Sequence, residues 1–244
     1  MTVLVLTYHA VEPGPPPLCV PPHLFRTHLD AIVESGIPTF TVSQLAERLR
    51  AREMPERGLA VTFDDAAASV VRTAAPLLAE RAVPATVYCV AGHLGGRSDW
   101  STRRRRTPLF ELASADELAT TELEIGSHGL THRPLRNDDD DAREVVESRH
   151  RLEETLGRPV ETFAYPYTAV GAVDLVRRTY TAACAGGNTE VRADSDLWKI
   201  PRVDMHYLRE PEVLRRALDG TLGSYLRIRR LAARARRLLV SDYA

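Results

Sequence analysis

The sequence predicts a single α/β domain whose parallel strands form a barrel, and three observations carry that expectation. Short apolar runs alternate with helical patterns, which implies βαβ units. Chemically able residues follow the apolar runs: His9, then Asp64 and Asp65, then His128 and His132, then Tyr165 and Tyr167. The C-terminal ends of strands form the active face of βα barrels. Finally, 244 residues at 44 % hydrophobic and 27 % charged content give an ordinary globular profile, and no linker is long enough to divide residues 1–244 into separate domains.

The elements follow in order. Residues 3–6 (Val-Leu-Val-Leu) read as a buried strand. Residues 22–35 read as a helix, with prolines at the start, apolar Leu24, Phe25, Leu29, Ile32 and Val33 along one side, and Gly36 as the stop. Ser43 is the expected cap of a second helix at 44–52. A strand at 59–63, a helix at 69–81, a strand at 85–90, a short helix at 115–120 and a strand at 123–125 come next. The acidic run 138–141 opens a helix reaching about residue 156, where negative charge complements the helix dipole. A strand at 162–165, a helix at 170–179 and a strand at 182–185 complete the pattern. Arg103 to Arg106 lie in a long loop, either plainly solvated or a binding edge. A basic helix at about 222–240 carries six arginines between 226 and 240. Packing of its arginine stems on the barrel is favoured over contact with an anionic membrane surface.

Composition excludes several classes. Lys plus Arg (32) nearly balances Asp plus Glu (33), so bulk charge gives no reason to expect nucleic acid as a partner. Cys19, Cys89 and Cys184 are odd in number and far apart, which argues against a disulfide framework or a cysteine zinc site. The N-terminal apolar run has no basic region before it and is too short for a signal peptide, and no stretch reaches the ~20 apolar residues of a membrane span. The expectation is a cytoplasmic protein.

Two motifs carry chemistry. Asp64 and Asp65 are adjacent at a strand end, where both can enter one site; an Asp–Asp turn capping the next helix is the plain alternative. His128 and His132 are four residues apart, so on a helical turn both imidazoles face the same way. With one carboxylate they make a two-histidine, one-carboxylate site for a divalent metal with positions left open.

Thr62-Phe63-Asp64-Asp65, Ser127-His128 with His132, and Phe163-Ala164-Tyr165-Pro166-Tyr167 together resemble the signature set of the polysaccharide deacetylase family, carbohydrate esterase family 4. The resemblance covers most of the chain, including Tyr8-His9, the Trp100 region, residues 124–129, residues 156–160 and Ile200-Pro201-Arg202-Val203. With Tyr-His at the N-terminus, the order is similar to the circularly permuted branch that includes biofilm poly-N-acetylglucosamine deacetylases. The resemblance implies a distorted (β/α)7 barrel. It implies that Asp65, His128 and His132 bind a divalent metal, zinc first, with cobalt, nickel or other ions possible. Asp64 is then the general base and the Tyr167 backbone N–H an oxyanion donor. His9 is the general acid, with His206 its competitor, and Tyr165 and Trp100 are expected to contact substrate.

Three departures from the family pattern stand out. Ala66 replaces the glycine after Asp-Asp, which suggests a right-handed turn there. Ala164 stands where unpermuted relatives carry the arginine that orients the base, which nominates Arg202 for that task or for a structural salt bridge. Thr168 replaces a glycine after the last tyrosine.

The implied activity is hydrolytic removal of an N-acetyl group from an amino sugar. The missing signal peptide favours a free, conjugated or lipid-linked sugar over an extracellular polysaccharide. An iron oxygenase with the same ligand types would not need Asp64. A carbohydrate-binding pseudo-enzyme would not need a full set of ligands and proton-transfer groups.

Overall fold

The computed structural model describes residues 2–100, 110–221 and 225. The arginine run 103–106 and, Tyr225 apart, the basic tail at 222–240 lie outside the described residues. The strands are β1 (Thr2–Tyr8), β2 (Thr39–Phe40), β3 (Arg57–Phe63), β4 (Ala85–Cys89), β5 (Glu124–Ser127), β6 (Thr162–Ala164), β7 (Ala182–Ala185), β8 (Ile200–Pro201) and β9 (Val203–Asp204). All pair in parallel in the order β8-β7-β6-β5-β4-β3-β1-β9, with β2 beside β3.

The two ends of that order are neighbours in sequence. β8 adds to β7 through Cys184↔Ile200, and β9 adds to β1 through Leu6↔Val203. Residues 200–204 therefore act as one strand interrupted at Arg202, and counted that way the barrel has seven strands, with β2 outside it. It is a distorted (β/α)7 barrel. The distortion shows between β5 and β6, which share one register pair, Ser127↔Phe163.

The middle of strand β1, Val3 to Leu6, is apolar because both its faces are covered, as parallel strands require. Val3 and Val5 join the inner cluster with Ala60, Tyr88, Ala164, Ala182, Cys184 and Ile200. Leu4, Leu6 and Tyr8 face the surrounding helices. Helix α1 (Pro22–Glu34) buries Phe25, Leu29, Ala31 and Ile32, and α2 (Val42–Ala51) sends Val42, Leu45, Ala46 and Leu49 into the inner cluster. Helix α2 thus seals the barrel floor, tied there by Val42 N–H to the Thr86 hydroxyl (3.0 Å) and Ser43 N–H to Glu124 (3.1 Å). The remaining helices are α3 (Ala75–Ala79), α4 (Ala115–Ala119), α5 (Ser148–Leu156), α6 (Val173–Thr179) and α7 (Pro211–Leu218). No helix among the described residues is long and apolar enough to cross a membrane.

Several expectations are corrected. The cap of α2 is Thr41, not Ser43: the Thr41 hydroxyl accepts from Gln44 N–H, and the Gln44 side chain accepts from Thr41 N–H. The helices expected at 69–81 and 138–156 contain π-helical turns, Val70–Ala74 before α3 and Arg143–Glu147 before α5. The acidic run does more than complement a dipole, because buried Asp141 accepts from the backbone N–H groups of Arg136, Asn137 and Asp138. Strands β2, β8 and β9 have two residues each, too few for a periodic signal, and neither they nor α7 were anticipated. Replacing Thr41 by alanine removes half of the capping box and is expected to cost about 1 kcal/mol, read as a lower midpoint in denaturant unfolding.

Candidate active site

Asp64 follows β3 on the inner side of the barrel, and its N–H donates to Tyr8 O at 2.9 Å. Arg202, delivered by the interrupted closing strand, grips both carboxylate oxygens: Nη1 to Oδ1 at 2.6 Å and Nη2 to Oδ2 at 2.8 Å. Nη1 also reaches the Thr62 hydroxyl at 3.3 Å, and the guanidinium lies 5.5 Å from the centroid of the Tyr88 ring. Gly126 makes room for that ring, since a Cβ there would meet it at 2.4 Å. Burial pushes the Asp64 carboxyl up, but the charge and hydrogen bonds of Arg202, with His128 nearby, outweigh it and hold Asp64 well below the usual carboxylate range. The arginine expected to orient Asp64 is in contact with it, as a bidentate pair.

Asp65 and Ala66 turn left-handed, with φ of 70° and 56°. The right-handed turn suggested by Ala66 is thus corrected. The strain of an alanine in this region is held by its carbonyl, which accepts from Ala113 N–H at 2.8 Å. The turn brings Asp65 to His128 and His132. Its Oδ1 lies 3.2 Å from His132 Nε2 and 3.7 Å from His128 Nε2. One ligand atom from each of the three groups falls within 4.8 Å of the others, and all three residues are buried. Asp65 Oδ1 has no hydrogen-bond partner among the described residues, despite those short approaches. A carboxylate oxygen and two imidazole nitrogens converging without hydrogen-bond alignment fit a divalent cation.

The two histidines are not on a helical turn, contrary to expectation. His128 follows β5, and His132 sits beyond an irregular loop with its own φ at 62°. His128 Nδ1 donates to Ala164 O at 2.7 Å, which leaves Nε2 facing the cluster. Burial pushes the His128 imidazole down to about 4, although Asp64 and Asp65 draw it upward. The His132 ring stacks on Trp100 (4.7 Å between centroids, 26°) and meets the Tyr167 ring edge-on at 4.6 Å. The Tyr167 hydroxyl donates to Trp100 O at 3.3 Å. Trp100, expected to contact substrate, is therefore part of the wall that holds His132.

Other expected residues fall as follows. His9, just past β1, is half-buried and close enough to both carboxylates to lower their pKa values. His206 is exposed, its ring on Tyr207 at 5.5 Å. Tyr167 and Thr168 turn left-handed at φ 54° and 57°, directly after β6 and Pro166. Tyr165 is 1 % exposed and packs edge-on against Phe163. Burial pushes its hydroxyl up, and that oxygen has no hydrogen-bond partner among the described residues, so the side chain lies in the core. Sequence reading missed Tyr88, under Arg202, and Glu144, which holds the loop between the histidines. Neither lies at a strand end, the signal by which the others were found.

A sequence profile of the family described as polysaccharide deacetylase matches residues 51–181, more than half of the chain. The chain belongs to the polysaccharide deacetylase family. That stretch contains Asp64, Asp65, His128 and His132 and excludes His9 and Arg202. Among curated proteins the chain is similar to a poly-β-1,6-N-acetyl-D-glucosamine N-deacetylase of Staphylococcus epidermidis, at 20 % identity over 193 residues, covering 73 % of this chain and 65 % of that relative. The chain thus spans somewhat less than two thirds of the relative's length. Among solved structures it is similar to the Streptococcus pyogenes deacetylase PplD in complex with acetate (TM-score 0.74, 19 % identity, 89 % of this chain, 98 % of that one). It is also similar to a polysaccharide deacetylase of Bacillus cereus (TM-score 0.72, 21 % identity, 89 % of this chain, 69 % of that one). These likenesses establish the deacetylase barrel as the fold.

The titration of His128 gives a stability test on the metal-free chain. Its folded value, about 4, lies below the unfolded 6.5, so the folded state resists a proton that the unfolded state accepts. Above about pH 6.5 the group costs nothing; between there and pH 4 stability falls, by up to about 3 kcal/mol. Asp64 and Asp65, both lowered, add further loss in the same direction at still lower pH. Unfolding midpoints at pH 7, 5.5 and 4 check this, and a flat profile over that window contradicts it.

Proposed function

We propose that this chain is a divalent-metal-dependent hydrolase that removes the acetyl group from the nitrogen of an amino sugar. The observation that carries the reading is a single buried site holding two separate devices. Asp65, His128 and His132 converge as a cation cage, and Asp64 beside them is kept ionised by Arg202.

In this reading Asp65, His128 and His132 hold the cation, zinc first, with cobalt or nickel as substitutes. A divalent cation supplies Lewis-acid polarisation of the amide carbonyl and lowers the pKa of a water molecule. Asp64 accepts the proton of the attacking water, and Arg202 fixes both its oxygens so that its orientation costs no reorganisation during attack. The Tyr167 backbone N–H, in its left-handed turn, donates to the developing oxyanion. An amine leaves only if protonated, and His9, whose charge reaches both carboxylates, delivers that proton to the nitrogen. His206 is exposed and lies against Tyr207. Trp100 and Tyr167 hold the His132 ring from two sides.

The substrate is an N-acetylated amino sugar, free, conjugated or lipid-linked. A polymer of such sugars is the second reading, favoured by the name of the Staphylococcus epidermidis relative. Acetate release from a panel running from N-acetylglucosamine conjugates to oligomers of increasing length distinguishes them: release confined to conjugates supports the first, and release rising with length the second. Chelation is expected to abolish release and added zinc, cobalt or nickel to restore it. Asp64→Asn is expected to lower the rate by about 10³-fold. Arg202→Lys, which loses the bidentate grip, is expected to lower it by roughly tenfold or more while the metal stays bound. Wild-type rates in Asp64→Asn, or turnover unaffected by chelation, would sink the reading.

A further inference from the structure

Glu144 lies on the π-helical turn Arg143–Glu147 and is 3 % exposed. Its carboxylate takes three hydrogen bonds from the residues between the two histidines. Oε2 accepts from Leu130 N–H at 2.8 Å and from Thr131 N–H at 3.0 Å, and Oε1 accepts from the Thr131 hydroxyl at 2.5 Å. Gly129 turns at φ 86° against the same group, where a Cβ would come within 2.7 Å of Oε2. The Gly129 N–H is taken by the Ser127 hydroxyl at 3.2 Å, and that hydroxyl contacts Ser148 at 2.9 Å, on the helix that carries Glu144. The N–H groups of Leu130 and Thr131 are thereby satisfied from the π-turn, and that of Gly129 by Ser127 at the end of β5. No cationic side chain pairs with Glu144 among the described residues.

The loop is tied to the segment after β4 where Gly129 O and Leu130 O accept from Ala91 and Gly92 N–H at 2.9 and 2.8 Å, but those bonds end two residues before His132, and the span up to its ring needs a further support. A buried carboxylate without a cation is expensive unless its hydrogen bonds are complete. Here they are completed by the loop itself. We infer that Glu144 is a positioning residue for the cation cage: it sets the distance between His128 and His132 and adds a buried negative charge behind them. The inference rests on the metal reading of the cage. Partners of this kind, behind metal ligands, are worth about 10–100-fold in metal affinity.

The test uses the full chain stripped of metal, with zinc binding measured by competition against a chromophoric chelator and cobalt binding followed by its visible spectrum. Glu144→Gln keeps the size of the side chain but places an amide where the loop needs an acceptor. Its zinc dissociation constant is expected to rise about 10–100-fold, and the cobalt spectrum to change shape, with the melting temperature of the stripped protein close to that of the unaltered chain. A role confined to folding would move the melting temperature and leave both metal readouts in place. Thr131→Val removes only the hydroxyl donor and is expected to weaken zinc severalfold; it decides the matter if Glu144→Gln does not fold. Zinc affinities within twofold of the unaltered chain and an unchanged cobalt spectrum overturn the inference alone. Failure of the unaltered chain to bind zinc or cobalt overturns the metal reading as well.

Discussion

A closed parallel barrel must join its last strand to its first, and here the joint is made by five residues that change partners midway. Residues 200–201 lie on β7 and residues 203–204 on β1, so Arg202 has its side chain committed to the interior at the seam. A guanidinium there would be prohibitive without an anion, and Asp64 without a cation would protonate. Each offsets the other's cost through two parallel hydrogen bonds, with Thr62 and the face of Tyr88 beside the guanidinium, while Arg202 Nε has no partner among the described residues. The same residue that lies at the closing seam thus holds the Asp64 carboxylate.

The rest of the site is arranged around backbone that amino-acid preference alone would not choose. Asp65, Ala66, His132, Tyr167 and Thr168 all have positive φ, and none is glycine. Such residues persist where neighbours over-determine them. The Ala66 carbonyl is held by Ala113, the Thr168 N–H donates to Tyr165 O at 3.2 Å, and the loop leading to His132 is held by Glu144. The strained turns aim Asp65 and His132 at a common point, and the Tyr167 ring packs edge-on against that of His132. The cost is local; Ala113 and Glu144 support it from other elements, and the Thr168–Tyr165 bond supports it within the same turn.

Aromatic packing serves the same end. Among the described residues the His132 ring makes no backbone hydrogen bond comparable to the one His128 makes with Ala164, and Trp100 and Tyr167 pack against it instead. Two imidazoles of one cluster are thus held by different forces, one by a directional polar bond and one by ring contacts. Membership of the polysaccharide deacetylase family gives this arrangement its chemical context.

The barrel class, most strand and helix positions, and the set Asp64, Asp65, His128 and His132 are legible in the sequence, because each depends on nearby residues. Apolar runs mark buried strands, and ionisable residues that follow them have one place to go. Arg202 is legible only as a nomination, because 138 residues separate it from Asp64 and nothing local announces the pair. Two-residue strands carry no period, so the seam itself was invisible. The left-handed turns at Ala66 and Thr168 ran against residue preference, which is why local reasoning pointed the wrong way at Ala66. Tyr165, a strand-end aromatic, was assigned to substrate because the sequence does not say which way a side chain leaves the chain after its strand ends. Local patterning by itself determined which residues could form the site. Tertiary structure decided which of them meet, since barrel closure, loop support and burial depend on contacts between segments distant in the chain.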